Sequence, residues 1–501
     1  MASNKQIKIG AVISYATIIF NLIITLLYTP WMVGQIGKSN YALYTLSTSL
    51  ISIFLMDFGI SASVARFLSK YKAEGRDSEI PKFLGVVYKL FLAIALVIFI
   101  ALTIVYFLIE FIYGGLSFEE TNKFKELYLI VAGYSIIAFP FMPLDGILNS
   151  HEKFIQLKIC GLVQKSVSIL LIVLALTMGF GVTAIVSANA VSGIITILIK
   201  LAIIKKAGIP NPNFKSRDKR IFKDIFSFSV WVTVMSIAQR CMFNLAPSIL
   251  GIVSNSSEIA VFAPANALES YFFIFASAIN GLFLPKVSRL IATDNKQGIM
   301  DLMIKVGKYQ MVVLGLIFVG FCTIGKDFML LWMGKDYVKS YYGAMLIFLP
   351  DILIFSQQIA NTLMIAENKV KLQAFGYIIM AAVCLAFSFF LSYFYGSIGA
   401  CLAIAVGYLA NFIYINVVYC KVIKLDLKLF YKKCYLRTIP IILISSAILF
   451  GLFYFIKEVS WMWLIIKGSI VVVVYMFLSF VFAIDKNERK NLFSMLTRRK
   501  Y

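Results

Sequence analysis

Long apolar stretches recur along almost the whole chain, and this recurrence restricts the possible folds more than any other feature. A bilayer core accepts about 20 apolar residues per helical span, and runs of this kind are bounded by charged clusters or by Gly, Pro and Asn. With 61% hydrophobic and 14% charged residues, an ordinary soluble enzyme is excluded. We predict an all-α polytopic membrane protein with about 14 transmembrane helices, at residues 9–29, 42–65, 84–113, 127–148, 159–178, 182–204, 225–252, 259–284, 309–331, 343–365, 372–395, 400–420, 438–456 and 461–484.

The basic residues are distributed unequally over the segments that join these spans. When the N-terminus is placed in the cytoplasm, 35 of the 47 Lys and Arg residues fall in cytoplasmic segments, 6 in outer loops and 6 within spans. Because cytoplasmic loops carry an excess of Lys and Arg, this asymmetry predicts a multi-pass protein with both termini in the cytoplasm. The net charge of +23 then reflects topology and contact with anionic membrane lipids, and nucleic acid is not expected as a partner.

Two short sequence matches indicate an internal duplication. Pro30 at the outer end of the first span is matched by Pro247, 217 residues later, and Lys153 after the fourth span is matched by Lys369, 216 residues later. The alternative is that such residues recur by chance at helix ends. A duplication predicts two six-helix lobes plus two C-terminal helices, with substrate bound between the lobes and alternating access to it. The predicted domains are residues 1–207 (spans 1–6), 208–424 (spans 7–12) and 425–501 (spans 13–14 and a basic cytoplasmic tail).

Several short motifs occur in a fixed order with respect to the spans. They comprise Pro30, Gly34 and Gly37 after the first span, residues 41–44 (YALY), 57–59 (DFG) and Arg66 in or after the second, Glu152 with Lys153 after the fourth, and Pro285 with Ser288 at the inner end of the eighth. In these motifs the chain resembles the polysaccharide transporter branch of the multidrug/oligosaccharidyl-lipid/polysaccharide exporter superfamily. Ala42 departs from the pattern, since the family often has Gly there, and this affects local helix packing only.

The resemblance implies a function and a location. Family members of this kind are flippases that carry undecaprenyl-pyrophosphate-linked oligosaccharide repeat units from the inner to the outer leaflet of the bacterial cytoplasmic (inner) membrane. Such units supply surface polysaccharide of the cell envelope, such as O-antigen or capsule, with polysaccharide polymerase and glycosyltransferases as further partners. The resemblance also implies structural or gating roles for Asp57, Arg66, Pro30 and Gly34.

Arg240 and Glu269 are charged residues near the middle of two neighbouring predicted spans. A charge at mid-membrane costs about 2.5–3.5 kcal/mol even on lenient scales, so each should face protein or water. We predict that Arg240 binds a phosphate or sugar-acid group and that Glu269 is its counter-ion or a protonatable coupling group; a static salt bridge between helices is the alternative. Gln239 and Asn244 are predicted to bind sugar hydroxyls, although amide pairs between helices are equally common.

Three lysines, Lys89, Lys165 and Lys200, lie a few residues inside the cytoplasmic ends of spans 3, 5 and 6. Each could snorkel to the interface, which is the expectation for Lys200. Three in one lobe nevertheless predict a basic vestibule for a pyrophosphate head group, with Lys89 and Lys165 as substrate contacts. Asp351, inside span 10, is the second candidate for a coupling group after Glu269.

The sequence contains no recognisable catalytic or metal-binding motif. His151 is the single histidine, and neither an HExxH nor a GxxxxGK[ST] motif occurs, so we expect no enzyme activity, no metal and no cofactor. Transport is then driven by a proton, by a sodium ion or by the membrane potential alone. Lipid II and, for an exporter with acidic cavities, cationic drugs are the alternative substrates. A membrane glycosyltransferase or polymerase ranks last, because the chain has no long outer loop for catalytic motifs.

Overall fold

The computed structural model describes residues 20–56, 58–216, 219–277 and 283–483, and the regular elements within these ranges are all helical. Ten helical segments of this described part are long and apolar enough to cross a membrane. The predicted all-α polytopic class is therefore confirmed. The ten segments are Asp77–Ile112, Phe118–Ser150, Phe154–Thr177, Val182–Lys206, Ser256–Ser277, Lys296–Trp332, Lys335–Phe355, Val370–Lys421, Leu427–Tyr454 and Trp461–Phe482.

The described residues form two compact units, divided between Ala260 and Val261. The first contains α1 (Phe20–Ile36), α2 (Lys38–Phe54), α3 (Ile60–Ala73), α4 (Ile80–Ile112), α5 (Phe118–Ala138), α6 (Pro143–Ser150), α7 (Phe154–Thr177), α8 (Val182–Lys206), α9 (Lys219–Val253) and the start of α10 (Ser256–Ser277). The second contains the rest of α10, α11 (Leu284–Ala292), α12 (Lys296–Trp332), α13 (Lys339–Phe355), α14 (Gln358–Ala366), α15 (Val370–Lys421), α16 (Leu427–Phe430), α17 (Leu436–Tyr454) and α18 (Trp461–Phe482).

Two predicted spans are interrupted, so a continuous helix is wrong at both places. The span at residues 42–65 is broken between α2 and α3, because Phe58 and Gly59 adopt positive φ angles of 50° and 66°, which end a right-handed helix. The span at residues 343–365 is broken between α13 and α14 at Ser356 and Gln357. There the Ser356 hydroxyl donates to the Leu353 carbonyl at 2.7 Å, a bond of the kind that competes with helix continuation.

The 52-residue helix α15 covers two predicted spans, residues 372–395 and 400–420. Gly396 lies inside it with φ 56° and ψ −132°, which no right-handed helix contains. Gly376 lies against the side chain of Asn411, and a Cβ on Gly407 would be 2.8 Å from the carbonyl oxygen of Met380. Because these contacts pair early residues with late ones in reverse order, α15 is two helices packed antiparallel on either side of Gly396.

Close helix contacts shape the first unit around its polar residues. Gly146 brings α6 directly against the backbone of Ser61 on α3, and Gly193 brings α8 under the ring of Tyr134 on α5. A larger side chain at either glycine would separate these helices. The α9 helix packs against α2 and α3, and the Thr233 hydroxyl donates to the backbone oxygen of Phe58 at the break.

In the second unit, α12 packs against α13, α17 and α18. Thr438 on α17 donates to the sulfur of Met311 at 3.0 Å. On α18, Lys467 pairs with Asp327 of α12 at 2.8 Å. These contacts bind the two C-terminal helices to the rest of the unit.

Candidate functional site

A cavity of about 340 Å³ lies inside the first unit, enclosed by parts of α3 and α5–α9 and by Leu55 after the end of α2. The seven elements that meet there would leave an apolar hole if only hydrophobic side chains faced it. Its lining instead carries two cations, a carboxylate and several uncharged polar groups. The polar lining residues are Ser61, Tyr134, Asp145, Gln164, Thr196, Lys200 and Arg240.

Irregular backbone opens this cavity and positions its carboxylate. Between α5 and α6 the chain forms a short 3-10 turn, Phe139–Phe141, with Pro140 and then Pro143 at the beginnings of successive helical segments. Proline lacks the backbone N–H that would continue the preceding helix. The turn therefore starts a new helix, α6, whose first turn carries Asp145.

An ion pair crosses the cavity wall from α8 to α6. The Lys200 ammonium lies 2.5 Å from Oδ1 of Asp145, and the side chains are 19% and 47% exposed. We expected Lys200 to snorkel to the interface; it pairs with Asp145 instead, because the α5–α6 turn brings that carboxylate within reach. An exposed pair of this kind contributes little stability, so Lys200 is available to exchange its partner for another anion.

Arg240 borders the same cavity from α9 and is held by the end of α2. Its Nη1 donates to the carbonyl oxygen of Ser52 at 2.6 Å, in the last turn of α2, where backbone carbonyls lack helical partners. The Ser52 hydroxyl donates to Oδ1 of Asn244 at 2.7 Å. Arg240 thus caps α2 and places a guanidinium, which has five N–H donors, at the cavity wall.

The other predicted substrate contacts do not line this cavity. Lys89 donates to the carbonyl oxygen of Ser216 at 2.7 Å and so holds the segment that precedes α9. Lys165 is half-buried on α7, next to the lining residue Gln164, and Gln239 is half-buried on α9. Asn244 is engaged by Ser52 as described. A role of these four residues in substrate binding stays a prediction.

The residues expected to have structural or gating roles are spread over the beginning of the chain. Pro30 and Gly34 lie within α1, which continues to Ile36, and Gly34 is exposed. Arg66 is exposed on α3. Asp57 lies outside the described residues. Gating by these residues likewise stays a prediction.

A second polar site lies in the interior of the second unit, where Glu269 of α10, Asp351 of α13 and Tyr408 of α15 meet. Glu269 and Asp351 are 2% and 0% exposed, and the Tyr408 hydroxyl donates to Oε1 of Glu269 at 3.3 Å. Asp351 is near enough to Glu269 for their charges to interact. Neither carboxylate oxygen of Asp351 has a hydrogen-bond partner among the described residues. Two buried acids with unused oxygens form a site that a proton or a small cation would stabilise.

Sequence reasoning missed several residues of these two sites. Tyr134, Gln164 and Tyr408 carry no local signal, because a single polar residue on an apolar helix is common. Asn266, one turn before Glu269 on α10, has a buried Oδ1 without a partner in the described part of the chain, and the i, i+3 spacing from Glu269 was the one sequence feature that could have drawn attention to it.

Comparisons with known proteins place this fold among membrane transporters. The family model described as "Polysaccharide biosynthesis protein" matches residues 8–291, and no curated protein matches the chain. The structure is similar to a lipid II flippase, MurJ, in an inward closed conformation, with a TM-score of 0.72 and 17% identity over 94% of this chain and 98% of that one. It is also similar to an inward-facing MATE family multidrug resistance transporter of the MOP superfamily (TM-score 0.65, 13% identity, 78% and 95% covered). A third similar structure is the eukaryotic MATE transporter AtDTX14 (0.59, 14%, 86% and 99%). At these identities the likeness establishes the fold.

Proposed function

The chain belongs to the polysaccharide biosynthesis protein family, and from this membership we propose that it flips undecaprenyl-pyrophosphate-linked oligosaccharide repeat units from the inner to the outer leaflet of the bacterial cytoplasmic membrane. It is a multi-pass membrane transporter with the MOP-superfamily fold and not an enzyme. The repeat units then serve the assembly of a surface polysaccharide such as O-antigen or capsule, in which polymerase and glycosyltransferases are its partners.

The charge of the cavity in the first unit is the observation that carries this proposal. Lys200 and Arg240 contribute two positive charges to its wall and Asp145 one negative charge. A pyrophosphate loses its hydration on entering hydrocarbon, which is why it does not cross unaided. Arginine and lysine replace that hydration with charge-assisted hydrogen bonds. A cavity for cationic drugs would require the opposite charge.

The helix bounds support fourteen spans arranged as two related lobes and an appended pair. An offset of 217 residues carries Ile80, the start of α4, to residue 297, beside the observed start of α12 at Lys296. The same offset carries Lys206, the end of α8, to residue 423, beside the end of α15 at Lys421. The broken pair α5 and α6 likewise corresponds to α13 and α14. We therefore retain lobes at residues 1–207 and 208–424, with 425–501 appended, although α9 packs with the first compact unit.

Two sources of energy are compatible with this chemistry. With a cell interior near −100 mV, outward movement of one negative charge releases about 2.3 kcal/mol, and a dianionic head about twice that. Exchange of a proton or sodium ion at Glu269 and Asp351 is the second source. The unpartnered oxygens of Asp351 favour a contribution from this exchange.

The decisive experiment separates the charge of Arg240 from its hydrogen bond to Ser52. Full-length protein is reconstituted into proteoliposomes, and the outward movement of a labelled undecaprenyl-pyrophosphate oligosaccharide is followed. Arg240→Ala should abolish flipping while the protein still inserts. Arg240→Gln still donates to the Ser52 carbonyl but lacks the charge, and should also fail; Arg240→Lys should retain part of the activity.

Lys305→Ala is the matched control, because Lys305 is an exposed cation on α12; its flipping rate should equal that of the wild type. Full activity of a folded Arg240→Gln variant would reduce Arg240 to a helix cap and remove the basis of the proposal. Labelled lipid II in the same vesicles tests the alternative substrate.

Coupling is tested with Asp351→Asn and Glu269→Gln under imposed proton, sodium or voltage gradients. We expect each variant to lose stimulation by the coupling cation while voltage-driven flipping persists. Asp336→Asn, at an exposed residue, is the control. If the two variants respond to all three gradients as the wild type does, the buried acids take no part in coupling.

A further inference from the structure

The basic segment at residues 421–437 surrounds a groove in the second unit. Two adjoining cavities of about 380 and 470 Å³ share Tyr431 as a common wall. One is lined by apolar groups such as Leu436, Ile439 and Pro440 beside Lys432. The other contains Lys421 and Lys428. Together we call them the basic groove. The segment around it carries six cations and one acidic residue, namely Lys421, Lys424, Lys428, Lys432, Lys433 and Arg437 against Asp426.

The floor of the basic groove is built by a π-helix, Tyr431–Tyr435. Such turns are rare and occur frequently at functional sites. The rings of Tyr431 and Tyr435 stack with centroids 5.1 Å apart and planes 23° apart. Phe430 and Cys434 on the same turn are buried, whereas Lys432 is exposed. The turn therefore presents an aromatic floor with a cation at its edge.

We propose that the basic groove binds an anionic phospholipid of the cytoplasmic leaflet, with its phosphate at Lys428 and Lys432 and its acyl chain along Ile439 and Pro440. Basic pockets at the cytoplasmic side of membrane helices bind such head groups. The excess of positive charge excludes a zwitterionic lipid as the preferred ligand. The apolar wall excludes a soluble anion, which would leave it unfilled.

The floor tyrosines connect this site to the break between α13 and α14. The Tyr435 hydroxyl donates to the Leu353 carbonyl at 2.9 Å and lies 2.9 Å from the Ser356 hydroxyl. The Tyr431 hydroxyl donates to Oδ1 of Asn416 at 2.8 Å, and the Gln357 amide donates to the same oxygen at 2.9 Å. A lipid that orders the two rings thereby stabilises the broken helix that carries Asp351.

The binding test uses the purified full-length chain and does not depend on what it transports. Phosphatidylglycerol is titrated in mixed micelles, with phosphatidylcholine and inorganic phosphate as separate probes, and bound lipid is counted by native mass spectrometry. Each lysine near a membrane surface contributes about a fivefold change in affinity. The double variant Lys428→Gln/Lys432→Gln should therefore bind phosphatidylglycerol about 25-fold more weakly. Lys296→Gln/Lys305→Gln, at exposed lysines of α12, should bind as the wild type.

Equal binding by the two double variants, or equal stabilisation by phosphatidylcholine or phosphate, would overturn the assignment. Competition by undecaprenyl pyrophosphate at equal affinity would also overturn it, since the groove would then belong to the substrate. The connection is tested by hydrogen exchange at residues 350–360, which phosphatidylglycerol should slow in the wild type. Tyr435→Phe keeps the ring and should still bind lipid but lose that protection; unchanged protection would refute transmission through Tyr435.

Discussion

The ion pair between Lys467 and Asp327 allows a quantitative test of how the C-terminal helices are held. Lys467 of α18 is 4% exposed at its side chain, Asp327 of α12 is 27% exposed, and Nζ lies 2.8 Å from Oδ2. The Lys467 ammonium also lies 3.5 Å from the Glu458 carbonyl. The two partners thus differ in their access to water, and replacing one or the other should have unequal effects.

The magnitudes follow from this asymmetry. At the 2.8 Å separation and an effective dielectric constant of about 20, the Coulomb attraction is about 6 kcal/mol, most of which offsets the desolvation of Lys467. Asp327→Leu leaves the buried ammonium with only a carbonyl and should cost about 3 kcal/mol, at the low end for a broken buried pair. Lys467→Met removes the buried charge, and the part-exposed carboxylate regains water, so the cost should be about 1 kcal/mol or less. The double variant should be close to the wild type.

The assay is unfolding by SDS in mixed micelles, with the apparent free energy of unfolding compared among the four proteins. Lys457→Met, at an exposed lysine, controls for the loss of charge and should lie within about 0.5 kcal/mol of the wild type. Equal costs for the two single variants, or a double variant as unstable as Asp327→Leu, would refute the reasoning.

Two further predictions concern backbone approach and pH. Gly407→Ala should destabilise the protein by about 1–3 kcal/mol because its Cβ meets the Met380 carbonyl, whereas Gly320→Ala, with its nearest neighbour 3.7 Å away, should be neutral; thermal unfolding in detergent compares them. Burial lowers the pKa of His151, and nearby lysines lower it further. The unfolded chain therefore takes up the proton first as the pH falls, so stability should decline from about pH 7 to about pH 5 and decline less in His151→Gln; equal declines would contradict this assignment.

Much of the fold was predictable because the membrane imposes local rules. Apolar length and the bias of basic residues are properties of single segments, and they identified the all-α polytopic class without reference to any contact. The interruptions at Phe58 and at Ser356 were not predictable, since both lie within apolar runs and arise from one unusual φ angle or one side-chain hydrogen bond.

The candidate site was predictable only in part. Arg240, Glu269 and Asp351 were singled out because a charge inside a span needs a partner. Their actual partners did not follow from that rule. Ser52 is 188 residues from Arg240, and the pairing depends on which faces of α2 and α9 meet.

The sequence by itself determined the membrane class, the positions of most spans and the family, because the cost of polar groups in hydrocarbon acts on each segment separately. Only the tertiary structure decided that Lys200 pairs with Asp145, 55 residues away, and that Glu269 and Asp351 share one interior. The physical reason is that lipid selects apolar surface without specifying neighbours. Which helix faces meet is set by close packing at small residues such as Gly146 and Gly193 and by backbone breaks that no hydropathy pattern records.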